Sequence, residues 1–275
     1  MAARRLIAFL IVGLLATAAG AVRAESIVLA STTSVQDSGL LKHILPAFTA
    51  ASGIDVRVVA QGSGQALATA ARGDADLVLV HDPDAEERFM AEGHGSDRRQ
   101  IAWNDFVIVG PGNDPAHIGG GRDAKAALRA IAAAGAAFVS RGDKSGTDAL
   151  EKRLWRAVGL KPSMAEGATW YRDIGGGMGA ALNAAAGMAA YTLTDRGTWL
   201  SFGNKADLKI LVEGDTDLLN RYDVILLDRR RHPEAKHEAA RRLRDWLISE
   251  SGQSAVGAYT VNGEQLFHPS AAAPK

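Results

Sequence analysis

Cysteine is absent from all 275 residues of the chain. The protein can therefore form no disulfide bond, and no cysteine is present to carry a lipid anchor. An excess of charge of one sign is also missing, since 31 Lys and Arg residues balance 31 Asp and Glu residues. A nucleic-acid partner would require a basic face, so this balance argues against one.

The first 24 residues, in contrast, have the pattern of a secretory signal peptide. Arg4 and Arg5 form a basic start, an apolar run follows at 6–15, and Val22-Arg23-Ala24 suits signal peptidase. A membrane anchor is the alternative, but the run is shorter than the roughly 20 residues that span a bilayer. Cleavage would leave 251 residues starting at Glu25, with 28 basic against 31 acidic residues. We expect a soluble periplasmic protein.

Strand-like and helix-like segments alternate along the rest of the chain. The helix predicted at 40–51 keeps Leu40, Ile44 and Phe48 on one face and ends at Gly53. Such alternation predicts an α/β fold with largely parallel sheets. The strands are predicted near 26–30, 55–60, 76–80, 101–110, 137–140, 188–192, 208–212 and 222–227.

Four hydroxyl residues stand in a row where the first strand gives way to a helix, Ser31, Thr32, Thr33 and Ser34. Such a junction directs free backbone N–H groups and the positive end of the helix dipole at one point, and the hydroxyls add neutral donors. This pattern predicts an anion site. An ordinary helix cap and turn is the alternative reading.

A second junction of this kind follows the strand at 137–140 and adds a positive charge. Arg141 is a planar donor suited to tetrahedral oxyanions, and Ser145 opens the next helix with a Ser-x-x-Asp capping pattern. The alternative is a capped helix whose surface arginine pairs with Asp143 or Asp148.

Two glycine-rich turns complete the set, at 61–65 and 175–179. Small residues let backbone N–H groups approach a ligand, although a tight turn explains each one equally well. The first is not a P-loop, because no Lys-Ser/Thr pair follows it. In open α/β sheets, ligands lie beyond the carboxyl ends of the strands, where several such turns can converge.

The seven histidines are scattered and predict no catalytic site. A secreted serine hydrolase would need a histidine and an acid next to Ser63 or Ser145, and the spacing supports neither. His81 ends a strand and could border the cleft, but it is interpreted as a turn residue that caps the following helix. We expect no enzyme and no metal cation.

Seven motifs in order carry a resemblance to the tungstate-binding periplasmic proteins of Tup-type ABC importers, and it covers nearly all of Glu25 to Phe267. The motifs are Ser-Thr-Thr-Ser-x-x-Asp-Ser-Gly-Leu-Leu, Val-Val-Ala-Gln-Gly-Ser-Gly-Gln-Ala-Leu, Asp-Ala-Asp-Leu-Val-Leu-Val-His, Asn-Asp-Phe-Val-Ile-Val-Gly-Pro, Phe-Val-Ser-Arg-Gly-Asp-x-Ser-Gly-Thr, Gly-Gly-Met-Gly-Ala-x-Leu-Asn and Ala-Tyr-Thr-Leu-Thr-Asp-Arg-Gly-Thr. The resemblance implies a two-lobed periplasmic binding protein fold of type II. Each lobe would have a mixed, mostly parallel sheet flanked by helices, with the oxyanion in the cleft between the lobes.

The resemblance also implies which residues face the ligand. The family has a threonine where this chain has Ser31, so a hydroxyl is kept at that position. We expect Asp37, Asp143 and Asp148 to point away from the anion. The implied ligand-binding residues are Thr32, Thr33, Ser34, Ser63, Arg141, Ser145 and Thr147.

The implied organisation is a signal peptide at 1–24, lobe one at 25–107, lobe two at 108–205, and a return crossover with the rest of lobe one at 206–275. The crossovers are expected near Phe106–Val109 and Val212–Asp223. The implied function is capture of tungstate, or molybdate, for the permease and ATPase of an ABC importer by a monomer without a cofactor. A phosphate or sulfate carrier of the same fold remains the alternative, and a secreted hydrolase is a more distant one.

Overall fold

The computed structural model describes residues 25–163 and 167–271. The predicted signal peptide at 1–24 lies outside these residues. Within the two described ranges, no helix is both long enough and apolar enough to cross a membrane.

Strands and helices alternate along the described residues, with a 3₁₀ turn at Thr216–Leu218. The strands are β1 (Ser26–Thr32), β2 (Asp55–Gln61), β3 (Leu77–Val80), β4 (Gly95–Pro111), β5 (Phe138–Ser140), β6 (Tyr171–Asp173), β7 (Tyr191–Asp195), β8 (Leu208–Val212), β9 (Leu219–Leu227), β10 (Thr260–Val261), β11 (Glu264–Gln265) and β12 (His268–Pro269). The helices are α1 (Thr33–Asp37), α2 (Leu40–Ser52), α3 (Ser63–Ala71), α4 (Pro83–Ala91), α5 (Ala124–Ala134), α6 (Gly146–Ala157), α7 (Met178–Met188), α8 (Arg196–Ser201), α9 (His237–Ile248) and α10 (Glu250–Gly257).

The main sheet runs in the order β2-β1-β3-β9-β4-β7-β5-β6, and β8 and β12 also pair with β4. β1 is parallel to β2 and β3, and β5 is parallel to β6 and β7. The α/β fold class with a mixed sheet is confirmed. The centre is less parallel than the alternation predicted, because β4 and β9 are antiparallel to each other and to their other partners.

Strand β4 belongs to both halves of the molecule. It pairs with β9 from Gly95 to Asp105 and with β7 from Phe106 to Val109. The half that contains β1 to β3 is called lobe one here, and the half that contains β5 to β8 is called lobe two. The residue boundaries predicted for the lobes stay a prediction.

Both faces of each half of the sheet are covered by helices. In β3 every residue is buried, and Leu77 packs with α2 and α9 whereas Val78 packs with α3 and α4. In lobe two, Ile108 packs with α5 and α6, and Val109 packs with α7 on the opposite face. Alternating residues of a strand point to opposite faces, so these strands are apolar throughout.

The strand predicted at 188–192 begins later in the structure. The alanine-rich segment continues as α7 to Met188, and Ala189 ends it in the left-handed conformation (φ 48°). Alanine is the best helix former, and this preference extends the helix into the residues assigned to the strand. Strand β7 starts only at Tyr191.

Candidate functional site

The first hydroxyl motif divides between the protein interior and a cavity. Thr33 and Ser34 line a cavity of about 590 Å³. Ser31 is fully buried and donates its hydroxyl proton to the Leu79 carbonyl at 2.8 Å. Thr32 is buried as well, and its oxygen accepts from a backbone N–H of α1 at 3.1 Å. The two adjacent threonines of the motif therefore have different environments, since Thr32 caps α1 and Thr33 lines the cavity.

Lobe two supplies part of the wall of the same cavity. Arg141 lies there, together with Met178 at the start of α7 and Asp195 at the start of α8. The Arg141 side chain is only 13% exposed. Hydroxyls from lobe one and a guanidinium from lobe two therefore line one cavity.

Arg141 is held in place by two neighbours on its own loop. Its Nε and Nη2 donate to Asp143 Oδ2 at 3.1 and 2.5 Å, and its Nη1 lies 3.4 Å from Thr147 Oγ1. Pairing with Asp143 was the alternative interpretation from the sequence, and the structure contains this pair. A guanidinium carries five N–H groups. These contacts use three of them, which leaves one N–H on each terminal nitrogen for a ligand.

Asp143 is ionised in this setting. Burial opposes ionisation, but hydrogen bonds from Ser145 and from Arg141 outweigh it and hold the pKa of Asp143 below its ordinary value. The Ser145 backbone N–H donates to Asp143 Oδ1 at 3.1 Å. The guanidinium charge is therefore partly balanced before any anion binds.

Asp148 shapes the loop that carries Arg141. Its buried carboxylate accepts from the backbone N–H groups of Gly142 and Lys144, at 3.1 and 3.2 Å, and from Lys152. Gly142 has φ +62°, and a Cβ at this position would collide with the Asp173 carboxylate. Both Asp143 and Asp148 act as turn and cap groups, as predicted.

Helix N-termini supply further donors around the cleft. The N-cap residues of α3 and α7 are Gly62 and Gly177, and neither helix has a side-chain capping hydrogen bond. The first N–H groups of a helix need acceptors from outside it, and a bound anion can provide them. At α6, by contrast, the Ser145 hydroxyl accepts from the Asp148 N–H at 3.3 Å.

Ser63 and the start of α6 meet across the cleft. The Ser63 hydroxyl lies 3.9 Å from the position that a Cβ on Gly146 would take. Gly146 stands between Ser145 and Thr147, and Thr147 contacts Arg141 as described above. Ser63 thus lies near the start of α6, and Thr147 contacts Arg141, but Thr32, Ser63, Ser145 and Thr147 are not among the residues that line the cavity of Thr33, Ser34 and Arg141.

The sequence reasoning did not assign Asp195 and Thr198, which also line the cavity. Asp195 accepts from the Thr198 backbone N–H and from the Thr198 hydroxyl, both at 2.7 Å. The Asp-x-x-Thr spacing of a helix cap was the available signal. Asp37 also lines the cavity, contrary to the expectation that it lies away from the site.

A Ser-His-acid arrangement is not present among the described residues. The two ring nitrogens of His81 contact Asn220 Oδ1 at 3.0 Å and Thr32 Oγ1 at 3.1 Å, and neither contacts a serine or a carboxylate. Likewise, residues 25–163 and 167–271 contain no group of three His, Cys, Asp or Glu side chains that could hold a metal ion.

Comparison with known proteins identifies the family. A family model described as a PBP superfamily domain matches residues 16–251. The tungstate-binding protein TupA of Peptoclostridium acidaminophilum is 45% identical over 251 residues, which cover 90% of this chain and 86% of the relative.

Two solved structures agree with this result. The tungstate-binding protein TupA from Desulfovibrio alaskensis G20 superposes with a TM-score of 0.83 at 41% identity, covering 90% of this chain and 100% of that one. The tungstate ABC transporter structure from Geobacter sulfurreducens gives a TM-score of 0.74 at 43% identity, with coverage of 86% and 99%.

Proposed function

The chain belongs to the periplasmic binding protein superfamily and, within it, to the tungstate-binding proteins of ABC importers, and we propose that tungstate binds in the cleft where the two lobes meet. The observation that carries this proposal is the shared cavity, in which Thr33 and Ser34 of lobe one face Arg141 of lobe two. Lobe one would comprise residues 25–107 and the part of 206–275 that follows β8, and lobe two residues 108–205 together with β8, which pairs with residues 108–111 of β4. The change of partner along β4, between Asp105 and Phe106, supports this division.

Tungstate is a tetrahedral dianion with four acceptor oxygens and no proton to donate at neutral pH, so its site needs donors only. Arg141 would supply the charge, and the uncapped N-termini of α3 and α7 would supply backbone N–H groups. The proposed side-chain donors are the hydroxyls of Thr33, Ser34, Ser63, Ser145 and Thr147. Thr32, the remaining residue of the predicted set, is buried, and its hydroxyl contacts His81.

This donor set is sufficient for tight binding. Hydrogen bonds with a charged partner contribute roughly 1.5–3 kcal/mol each. Six to eight of them, by this estimate, could offset desolvation and lobe closure and still leave about 12 kcal/mol, which corresponds to nanomolar affinity.

The protein would act in the periplasm as a soluble monomer, exported by the cleavable segment at 1–24, and would deliver its anion to a permease and an ATPase. Molybdate, which has the same shape and charge, would be a second ligand. We propose no catalytic activity and no cofactor. The engagement of both His81 nitrogens by Thr32 and Asn220 supports the absence of hydrolase chemistry.

Calorimetric titration of the mature chain with tungstate, molybdate, sulfate and phosphate in turn tests the proposal. We expect tungstate to bind at least as tightly as molybdate, and both far more tightly than the other two. Sulfate is smaller, so its hydrogen bonds in a pocket sized for tungstate would be stretched and weak. Competition by phosphate at concentrations comparable to tungstate would favour the phosphate carrier, and loss of that competition in Asp143→Asn would assign the phosphate proton to Asp143.

A further inference from the structure

A buried polar network connects the first hydroxyl motif to the two central strands. It joins Thr32 to His81, His81 to Asn220, and Asn220 to Asn104 and Tyr222. All five side chains are buried, with at most 7% of any residue exposed. Asn104 lies on β4 and Asn220 on β9, the strands that run side by side where β4 changes lobe.

The orientation of the two asparagine amides sets the protons of this network. The Asn220 amide nitrogen donates to Asn104 Oδ1 at 2.9 Å and to the Tyr222 hydroxyl at 2.6 Å. In this orientation its Oδ1 faces His81 Nδ1, 3.0 Å away, and this nitrogen is the donor. Flipping Asn220 alone would bring two carbonyl oxygens together at Asn104; only a joint flip of Asn104 and Asn220 would make Nδ1 the acceptor.

The protonation of Thr32 follows from that of His81. Burial lowers the pKa of His81, so the ring is neutral and its Nε2 is an acceptor. Nε2 lies 3.1 Å from Thr32 Oγ1, which therefore donates its single proton to the ring. The same oxygen already accepts the Val35 N–H at 3.1 Å. No proton is left on Thr32 for an anion.

We infer that His81 is a positioning residue of the anion site, which holds the Thr32 hydroxyl as a brace of the first turn and leaves Thr33 and Ser34 to contact the oxyanion. This inference rests on the proposed function, because it assigns roles within the same cleft. Through Asn220 and Asn104, the brace ties the turn to the strands that connect the lobes.

His81 also contacts lobe two, so a movement of the lobes changes the packing around its ring. A Cβ on Gly146 would lie 3.2 Å from the His81 Cε1, closer than most Cβ contacts in proteins. The ring thus packs against the first residue of α6, beside Ser145 and Thr147. A displaced His81 ring would shift the turn on one side of the cleft and press on the helix on the other.

The first experiment reads the tautomer directly in the ligand-free protein. Long-range proton–nitrogen correlation of ¹⁵N-labelled mature protein resolves the ring nitrogens of its seven histidines, and His81→Asn identifies the signals of residue 81. We expect a neutral ring protonated on Nδ1, with an Nε2 resonance that shifts in Thr32→Val. We also expect that resonance to persist at saturating tungstate. Protonation on Nε2, or loss of the Thr32 contact on binding, would overturn the inference.

The second experiment measures tungstate affinity in a matched set of variants. The amide nitrogen of an asparagine can replace Nδ1, whereas a glutamine amide reaches the position of Nε2. His81→Asn should therefore keep the hydrogen bond to Asn220 and lose the one to Thr32. We expect it to weaken tungstate binding about threefold to tenfold, as for the loss of one hydrogen bond. His81→Gln should restore most of this loss.

A double variant then separates bracing from direct contact. If Thr32 acts only through His81, Thr32→Val with His81→Asn should bind no more weakly than the poorer single variant. Losses that multiply would mean that Thr32 contacts the anion itself, and the inference would be wrong. Failure of the wild-type protein to bind tungstate would instead refute the proposed function, while the tautomer experiment would still decide the order of the hydrogen bonds.

Discussion

Replacing Arg141 by alanine should remove the largest single contribution to anion binding. Two of its five N–H groups are free of protein partners and available to a ligand. Loss of their charge-assisted bonds, in a cleft that also contains the Asp143 carboxylate, should cost about 2–5 kcal/mol. The dissociation constant of tungstate would rise by about thirtyfold to several thousandfold. Titration calorimetry at fixed ionic strength measures this change.

Three further variants show where the loss comes from. Arg141→Lys keeps the charge without the planar fork and should fall between wild type and Arg141→Ala. Arg141→Ala combined with Asp143→Asn removes the unbalanced carboxylate and should recover part of the affinity. Arg129→Ala is the matched control, because it removes an exposed positive charge from α5 of the same lobe and should change affinity less than twofold at physiological salt, where distant exposed charges are screened.

Stability distinguishes a binding role from a structural one. The unfolding free energy of the ligand-free protein should change by about 1 kcal/mol or less in Arg141→Ala, because Asp143 is partly exposed and keeps the Ser145 N–H. Wild-type tungstate affinity in Arg141→Ala would refute the reasoning. It would mean that the guanidinium serves only to cap its own loop.

Three other predictions follow from the same structure. Burial and the nearby Asp223 carboxylate raise the pKa of Glu86 to about 9, so the native state holds a proton that the unfolded chain releases above its ordinary pKa. Stability should therefore fall as the pH rises from about 4.5 to 9, and denaturant unfolding of Glu86→Gln should show a flatter profile. Small-angle scattering should give a smaller radius of gyration after addition of tungstate, since ligands bridge the lobes; an unchanged profile at saturation would place the site within one lobe or mean that the cleft is already closed. Intact-mass measurement of the exported protein should find Glu25 as the first residue, and retention of 1–24 would exclude cleavage there.

Local patterns were enough to predict most of the fold. Strand β8 lies where it was predicted, at Leu208–Val212, and α2 differs from its predicted end by a single residue. β4 is longer than predicted, because Arg98 and Arg99 hide the strand pattern in its first half. Backbone pairing with β9 keeps that half in the sheet, and Arg98 lies beside Asp223 of β9. Such pairing depends on tertiary contacts and leaves no periodic signal in the sequence.

The site was harder to predict from the sequence than the fold, because residues of the same type have different roles in it. Thr32 and Thr33 are adjacent and chemically identical, yet one is buried against His81 and the other lines the cavity. The difference arises from β1, whose last residue points inward, and from His81, which is 49 positions away in sequence. A motif states which donors are present, but only the packing decides which of them retain a free proton.

The carboxylates around the cavity already accept hydrogen bonds from protein groups, and this favours a fully deprotonated ligand. Asp143 accepts from Arg141 and Ser145, and both oxygens of Asp195 accept from Thr198. Asp37 is exposed, so water competes for any proton that it could accept. At neutral pH, phosphate retains a proton on many of its molecules and needs a free acceptor, whereas tungstate needs none. A cavity whose acids already accept hydrogen bonds from protein groups therefore offers mainly donors to the ligand, and we expect it to favour the anion that needs no acceptor.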